Sequence, residues 1–141
     1  NFNKKIITKI KKNFSRNKNF TLVNLDDISL FFKTELLITD WSGISFEYFF
    51  AKKNSKIIFL DTPIRAVNKN YKELGLGTIE EQYRKELGII TKLDILEIQR
   101  KIDIAIKTEA AKSSHVSNIE KKLLFNYDKS FPYLLEYLKK K

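Results

Sequence analysis

Cysteine is missing from this chain, methionine is missing too, and histidine occurs once, as His115. Without cysteine there are no disulfides and no thiolate metal site, and a single histidine argues against a histidine-based metal cluster. Nothing in the residues calls for a metal or a cofactor. No apolar run approaches the roughly 20 residues needed to cross a bilayer, and no signal peptide is visible at the N-terminus. The common nucleotide fingerprints, GxGxxG and the P-loop GxxxxGK[ST], are absent. Because methionine is lacking even at position 1, the simplest expectation is a segment of a longer protein whose function is shared with a missing part.

What is present is enough for a folded core. The 141 residues are 43% hydrophobic and 13% aromatic, which fits one domain with no internal repeat and no linker. The net charge of +10 is uneven. Residues 1–20 carry seven positive charges and no acid, residues 21–80 carry seven positive and eight negative, and residues 81–141 carry thirteen and nine. Lysine outnumbers arginine 23 to 4. Solvated lysine faces are the plain reading of this excess. An anionic membrane surface or a polyanionic substrate is the second. Nucleic acid is disfavoured, because arginine is scarce and no exposed aromatics interleave with the cations in a stacking pattern.

Hydrophobic periodicity predicts a helix from Asn3 to about Asn17, with Ile6, Ile7, Ile10 and Phe14 on one face and lysines on the other. Phe20–Val23 reads as a strand. Asp26 and Asp27 cap a short apolar helix with Ile28, Leu30, Phe31 and Phe32. Leu36–Thr39 reads as a second strand covered on both faces, since it shows no polar alternation. A nearly all-apolar helix runs from Ser42 to about Lys53, and Lys56–Leu60 is a third strand. Residues 64–77 read as a long loop. Thr78 and Glu81 form a capping box for a helix over Ile79–Leu87, ended by Gly88. Ile89–Thr91 is a short edge strand. Helices follow over Leu93–Lys107, with Ile95, Ile98, Ile102 and Ile106 at helical spacing, over Val116–Phe125, and from Phe131 to Leu138 behind a Ser130 cap. The alternation of strands and helices predicts an α/β fold, a Rossmann-like parallel sheet flanked by helices.

The stretch Leu36-Leu37-Ile38-Thr39-Asp40-Trp41-Ser42-Gly43-Ile44-Ser45-Phe46-Glu47-Tyr48 organises the functional reading. It is a strand, a polar turn and a helix start, placed at the carboxyl end of a strand, where open α/β sheets bind ligands. A helix start offers unpaired N–H groups and a positive dipole end, which suit a phosphate. Gly43 lets a ligand approach the backbone, and Ser42 and Ser45 add hydroxyl donors. The Asp40 carboxylate is expected to accept N–H bonds and fix the turn. Glu47 could accept hydrogen bonds from a ribose diol. Ser, Asp and Gly are also ordinary helix caps, so the same pattern arises without a ligand.

The stretch Leu37-Ile38-Thr39-Asp40-Trp41-Ser42-Gly43-Ile44-Ser45-Phe46-Glu47-Tyr48, followed by Ile57-Ile58-Phe59-Leu60-Asp61-Thr62-Pro63, resembles the C-terminal half of the CDP-glycerol glycerophosphotransferase family. Asn68-Lys69-Asn70-Tyr71, Ile79-Glu80 and Arg84-Lys85-Glu86-Leu87-Gly88 add to the likeness, which covers residues 20–90. The resemblance implies the C-terminal half of a GT-B architecture of two Rossmann-like domains facing a cleft. It implies transfer of glycerol phosphate from CDP-glycerol to a teichoic acid or capsule-type polymer. By the same likeness Thr39, Ser42, Gly43 and Ser45 contact the diphosphate and Glu47 meets the ribose. Gly43 stands where many members carry a second serine, which removes a hydroxyl and bears on donor identity. The family's histidine motif, believed catalytic, has no match here; His115 lies far downstream in a predicted helix.

The expected partners are CDP-glycerol or another nucleotide-activated donor, a polymer acceptor, and the missing N-terminal domain; the catalytic base is expected there too. The expected location is the cytoplasm, with peripheral attachment to the inner face of the cell membrane as an addition. Three alternatives stay open. One is a GT-B glycosyltransferase using a nucleotide sugar. Another is a flavodoxin-like receiver, for which Asp26, Asp27, Asp40 and Asp61 come near the required acids. The third is a membrane-surface module using the basic ends, with the lysine-tipped C-terminal helix on an acidic leaflet.

Overall fold

The computed structural model describes residues 2–23, 29–52, 54–64, 70, 73, 75, 77–108, 113–124 and 129–139. The chain divides into two compact units, Asn1–Leu30 and Phe31–Lys141.

The first unit is built on helix α1, Phe2–Phe14. Its end is closed by the Ser15 N–H donating to the Lys11 carbonyl at 3.0 Å. Two tight turns follow: Asn17 N–H bonds to Phe14 O at 2.9 Å, and Phe20 N–H to Asn17 O at 3.1 Å. The Asn17 side chain accepts from Asn19 N–H at 2.9 Å, an Asx turn. These turns bring the Phe20 ring to 5.3 Å from that of Phe14. The expected strand over Phe20–Val23 is not there: these residues have no strand pairing, and Thr21, Leu22 and Val23 are exposed. A four-residue apolar run specifies a strand only if a ladder partner takes it. Here the turns spend its first ring, Phe20, on a local aromatic contact instead.

The second unit is α/β, a three-stranded parallel sheet flanked by helices, as in a Rossmann-like fold. Phe31, from helix α2 (Ser29–Lys33), belongs to its core. The expected caps of that helix, Asp26 and Asp27, and its Ile28 lie outside the described residues. Strands β1 (Leu37–Thr39), β2 (Ile57–Leu60) and β3 (Ile89–Thr91) lie in the order β1-β2-β3. Leu37 pairs with Ile57 and Ile58 with Ile89. Helix α3 (Ile44–Ala51) links β1 to β2, and α4 (Ile79–Leu87) precedes β3. Helices α5 (Ile95–Lys107), α6 (Ser113–Leu123) and α7 (Ser130–Lys139) complete the chain. No helix is long and apolar enough to cross a membrane among the described residues.

The order of strands explains their burial. Central β2 is buried over Ile57, Ile58 and Phe59, so both of its faces are covered. The expectation that β1 is covered on both faces fails, because β1 is an outer strand and Ile38 is 41% exposed. Its neighbour Leu37 packs on the core with Phe31, Tyr48, Phe49, Phe59, Leu87 and Ile119. In α5 the buried position is Ala105, whereas Ile95 and Ile106 of the expected stripe are exposed. The capping box of α4 forms as read: Thr78 Oγ1 accepts from Glu81 N–H at 3.2 Å, and Thr78 N–H donates to Glu81 Oε2 at 3.0 Å. Gly88 is the single residue between α4 and β3, and a Cβ there would stand 2.3 Å from the Ile57 carbonyl oxygen. Only glycine lets the helix end come this close to the central strand.

Candidate site at the carboxyl edge of the sheet

Because the three strands are parallel, the segments after Thr39, Leu60 and Thr91 emerge at one edge. The two stretches singled out in the sequence, Asp40-Trp41-Ser42-Gly43 and Asp61-Thr62-Pro63, meet there. Trp41 Nε1–H donates to the Thr62 carbonyl at 2.6 Å and pins one turn to the other. Thr91 joins them through its backbone, since Asp61 N–H donates to Thr91 O at 2.8 Å.

The turn into α3 is tighter than a simple helix start. Ser45 N–H bonds to Ser42 O at 3.3 Å and Phe46 N–H to Gly43 O at 3.0 Å, a one-turn i→i+3 pattern. The helix therefore begins at Ile44, not Ser42, with Gly43 at the N-cap position in a right-handed conformation (φ −58°) and no side-chain cap bond. Ser45 is fully buried, and its hydroxyl donates to the Ser42 carbonyl at 3.0 Å. Ser42 and Thr39 are half-buried, and Ser42 Oγ lies 3.5 Å from the Ile44 N–H. Gly43 is exposed, and a Cβ there would meet nothing within 4 Å. Asp40 and Glu47 are exposed. Of the expected phosphate set, then, Thr39, Ser42 and Gly43 line the accessible side of the turn, and Ser45 serves its interior.

The residue that reading the sequence missed is Arg84. It is 3% exposed. Its Nη2 donates to the Leu60 carbonyl at 2.8 Å, and its Nη1 stands 3.8 Å from Asp61 Oδ1. The guanidinium lies 3.7 Å from the centre of the Trp41 ring and 5.2 Å from that of Phe59. Burial pushes its pKa down, and the charges of Asp61 and Asp40 push it back up. A guanidinium stays protonated under such opposing shifts, so the edge holds a fixed buried cation beneath the turn. Its Nε and the Thr91 hydroxyl are buried polar atoms with no hydrogen-bond partner among the described residues. One signal in the sequence points to this: Tyr83, Arg84 and Leu87 share the inward face of α4 at i, i+1 and i+4, and Arg84 is one of only four arginines.

The edge can offer an anion the dipole end of α3, the Ser42 hydroxyl and the buried Arg84 charge. The exposed carboxylates of Asp40, Glu47 and Asp61 set limits on its charge and suit a ligand carrying hydroxyls beside its phosphates. No three His, Cys, Asp or Glu side chains come together as a metal site among the described residues. An open hollow of about 270 Å³ lies at the opposite, amino end of the strands, lined by Lys56, Glu86, Gly88 and Ala105 among others. His115 lies within α6, but its side chain is outside the described set, as are Asn68, Lys69 and Tyr71. No protein-family model matches the chain, no curated protein matches it, and no solved structure matches it.

Proposed function

We propose that this chain is the donor-nucleotide-binding half of a GT-B-type transferase that moves glycerol phosphate from CDP-glycerol to a teichoic acid or capsule-type polymer. The observation that carries the reading is the Trp41–Thr62 hydrogen bond. It joins the two stretches on which the family likeness rests, at the edge where α/β sheets take nucleotides. An acceptor hydroxyl attacks the phosphorus that bears glycerol. A new P–O bond forms, the bond to CMP breaks, and CMP leaves with the bonding pair. The acceptor proton passes to a base outside this chain. The chain's own part is electrostatic: the N-terminal dipole of α3 and the Ser42 hydroxyl hold the diphosphate and stabilise charge on the departing phosphate. Glu47 accepts from the ribose diol. The enzyme works in the cytoplasm, peripherally at the inner face of the cell membrane, where such polymers are extended.

The second reading is a GT-B glycosyltransferase using a nucleotide sugar, because Gly43 in place of a second hydroxyl leaves the phosphate turn indifferent to what the phosphate carries.

Calorimetric titration of the whole natural protein with CDP-glycerol, CMP, UDP-sugars and GDP-sugars tests both. CDP-glycerol and CMP are expected to bind. Gly43→Asp adds a charge where a Cβ meets nothing. A negative charge at a helix start suits its dipole, so this variant should fold as well as wild type and bind nucleotide at least about tenfold more weakly. Binding of a nucleotide sugar in preference to CDP-glycerol would select the second reading. Undiminished nucleotide binding by Gly43→Asp would rule out the phosphate turn.

A further inference from the structure

The first unit carries a feature that the nucleotide site does not use. Helix α1 spans 13 residues, about 20 Å. At 100° per residue, Ile6, Ile10 and Phe14 fall in one line, and Ile7 beside them. Ile6, Ile7 and Phe14 are 41%, 43% and 47% exposed, an apolar stripe open to solvent. Lys5, Lys9 and Lys12 line the opposite face, Lys4 and Lys11 stand at its border with the stripe, and Arg16 follows in the turn after the helix. All five of these lysines and Arg16 are exposed. No Asp or Glu occurs anywhere in residues 1–25.

We infer that α1 is an interfacial helix that docks on an anionic phospholipid surface. Charge selects this occupant. An apolar stripe alone would suit any hydrophobic partner, but this one is bordered and backed by cations with no acid to offset them. A sheet of lipid phosphates meets that pattern along the whole helix, and the acyl boundary takes the stripe. Lys4 and Lys11 can lay their methylene stems along the apolar face and lift their ammonium groups to the headgroups. The tight turns after α1 set Phe20 against Phe14, which adds a second ring at the C-terminal end of the helix. The inference deepens the membrane-facing part of the proposed function, but it rests on the first unit alone and needs no nucleotide.

Flotation of the whole natural protein with vesicles tests it, using phosphatidylcholine alone or with about one phosphatidylglycerol in three. Partition onto the anionic vesicles should exceed that onto the neutral ones at least about tenfold at about 0.1 M salt, and collapse as salt shortens the screening length. The double variant Ile7→Asp/Phe14→Asp should lose binding to both vesicles. The triple variant Lys5→Gln/Lys9→Gln/Lys12→Gln changes only exposed positions and should lose the anionic preference. Equal partition onto the two vesicle types overturns the inference. So does wild-type partition by either variant, or a dimer that the aspartates disperse while vesicles stay unbound. Gly43→Asp should float like wild type, and the α1 variants should keep nucleotide binding, so failure here is distinct from failure of the nucleotide reading.

Discussion

Arg84 stacks on Trp41, its guanidinium 3.7 Å from the ring centre, while the indole N–H of Trp41 reaches across to Thr62. Two side chains from α4 and from the turn after β1 thereby hold the end of β2 between them. A lysine at 84 lacks the planar fork that bonds Leu60 O while stacking. Arg84→Lys should therefore lower stability by about 1–2 kcal/mol in urea unfolding, because the charged bond to Leu60 O and the stack on Trp41 are lost, while that carbonyl keeps the Thr62 N–H as a donor. Trp41→Phe removes the donor to Thr62 and part of the ring system under Arg84, so a loss of at least about 1 kcal/mol is expected. The Asp61 pair adds little, since that carboxylate is mostly in water, and Asp61→Asn should change stability by less than about 1 kcal/mol.

Gly88→Ala tests the contact between the end of α4 and the central strand. The added carbon would lie 2.3 Å from the Ile57 carbonyl oxygen and 2.9 Å from its carbon. Backbone in a ladder does not yield as a flexible side chain does. A loss of at least about 1–3 kcal/mol is expected, read as a lower urea midpoint with an unchanged slope.

The two serines of the turn should separate stability from binding. Ser45 is buried and bonded to Ser42 O. Ser45→Ala should cost about 1 kcal/mol of stability and leave nucleotide affinity within a factor of about two. Ser42 is half-buried on the accessible side. Ser42→Ala should weaken nucleotide binding several-fold, with less effect on unfolding. Calorimetry on both variants decides.

Tyr48 makes the fold sensitive to alkali. Its side chain is fully buried, and its hydroxyl donates to Thr34 O at 3.0 Å. Burial, the largest cause, and the charge of Glu35 raise its pKa above the ordinary 10.0, against a smaller lowering by the Lys56 backbone. The folded state therefore holds this proton more tightly than the unfolded chain. Its contribution is complete below the unfolded pKa of about 10 and is lost as pH rises through the higher folded value. Urea midpoints should be flat in this respect up to about pH 9 and fall above pH 10. Tyr48→Phe should remove that part of the fall. The Thr34 carbonyl keeps a donor in that variant, the Lys52 ammonium.

Local patterns were legible where a local cause decides them. The Thr78/Glu81 box formed because both of its bonds lie within one turn. The three parallel strands β1, β2 and β3 show in the sequence as short apolar runs between helices. What escaped were facts about neighbours. Leu36–Thr39 looks as apolar as Lys56–Leu60, yet one is an outer strand with Ile38 in water and the other is central. Phe20–Val23 has strand composition, but turns at Asn17 and Phe20 claimed its first ring. Gly88 was readable as a helix stop and not as a close approach to Ile57, which is 31 positions away in sequence. At the site, the turn and its accessible Ser42 and Gly43 were in view, whereas Arg84 was hidden by its charge. A burial rule for ionic side chains excludes it, and only the i, i+3 relation to Leu87 places it inward.

Among the described residues, three strands in the order β1-β2-β3 leave two rims. Each outer strand has only three residues, so each rim shows a brief row of backbone donors and acceptors. Brevity limits how well such a rim can recruit a foreign strand. The β1 rim is the riskier one, because exposed Ile38 gives an incoming chain an apolar foothold beside those groups. In concentrated solution the slow loss of this protein to aggregates should begin there, and Ile38→Lys should slow it without disturbing the turn that follows Thr39.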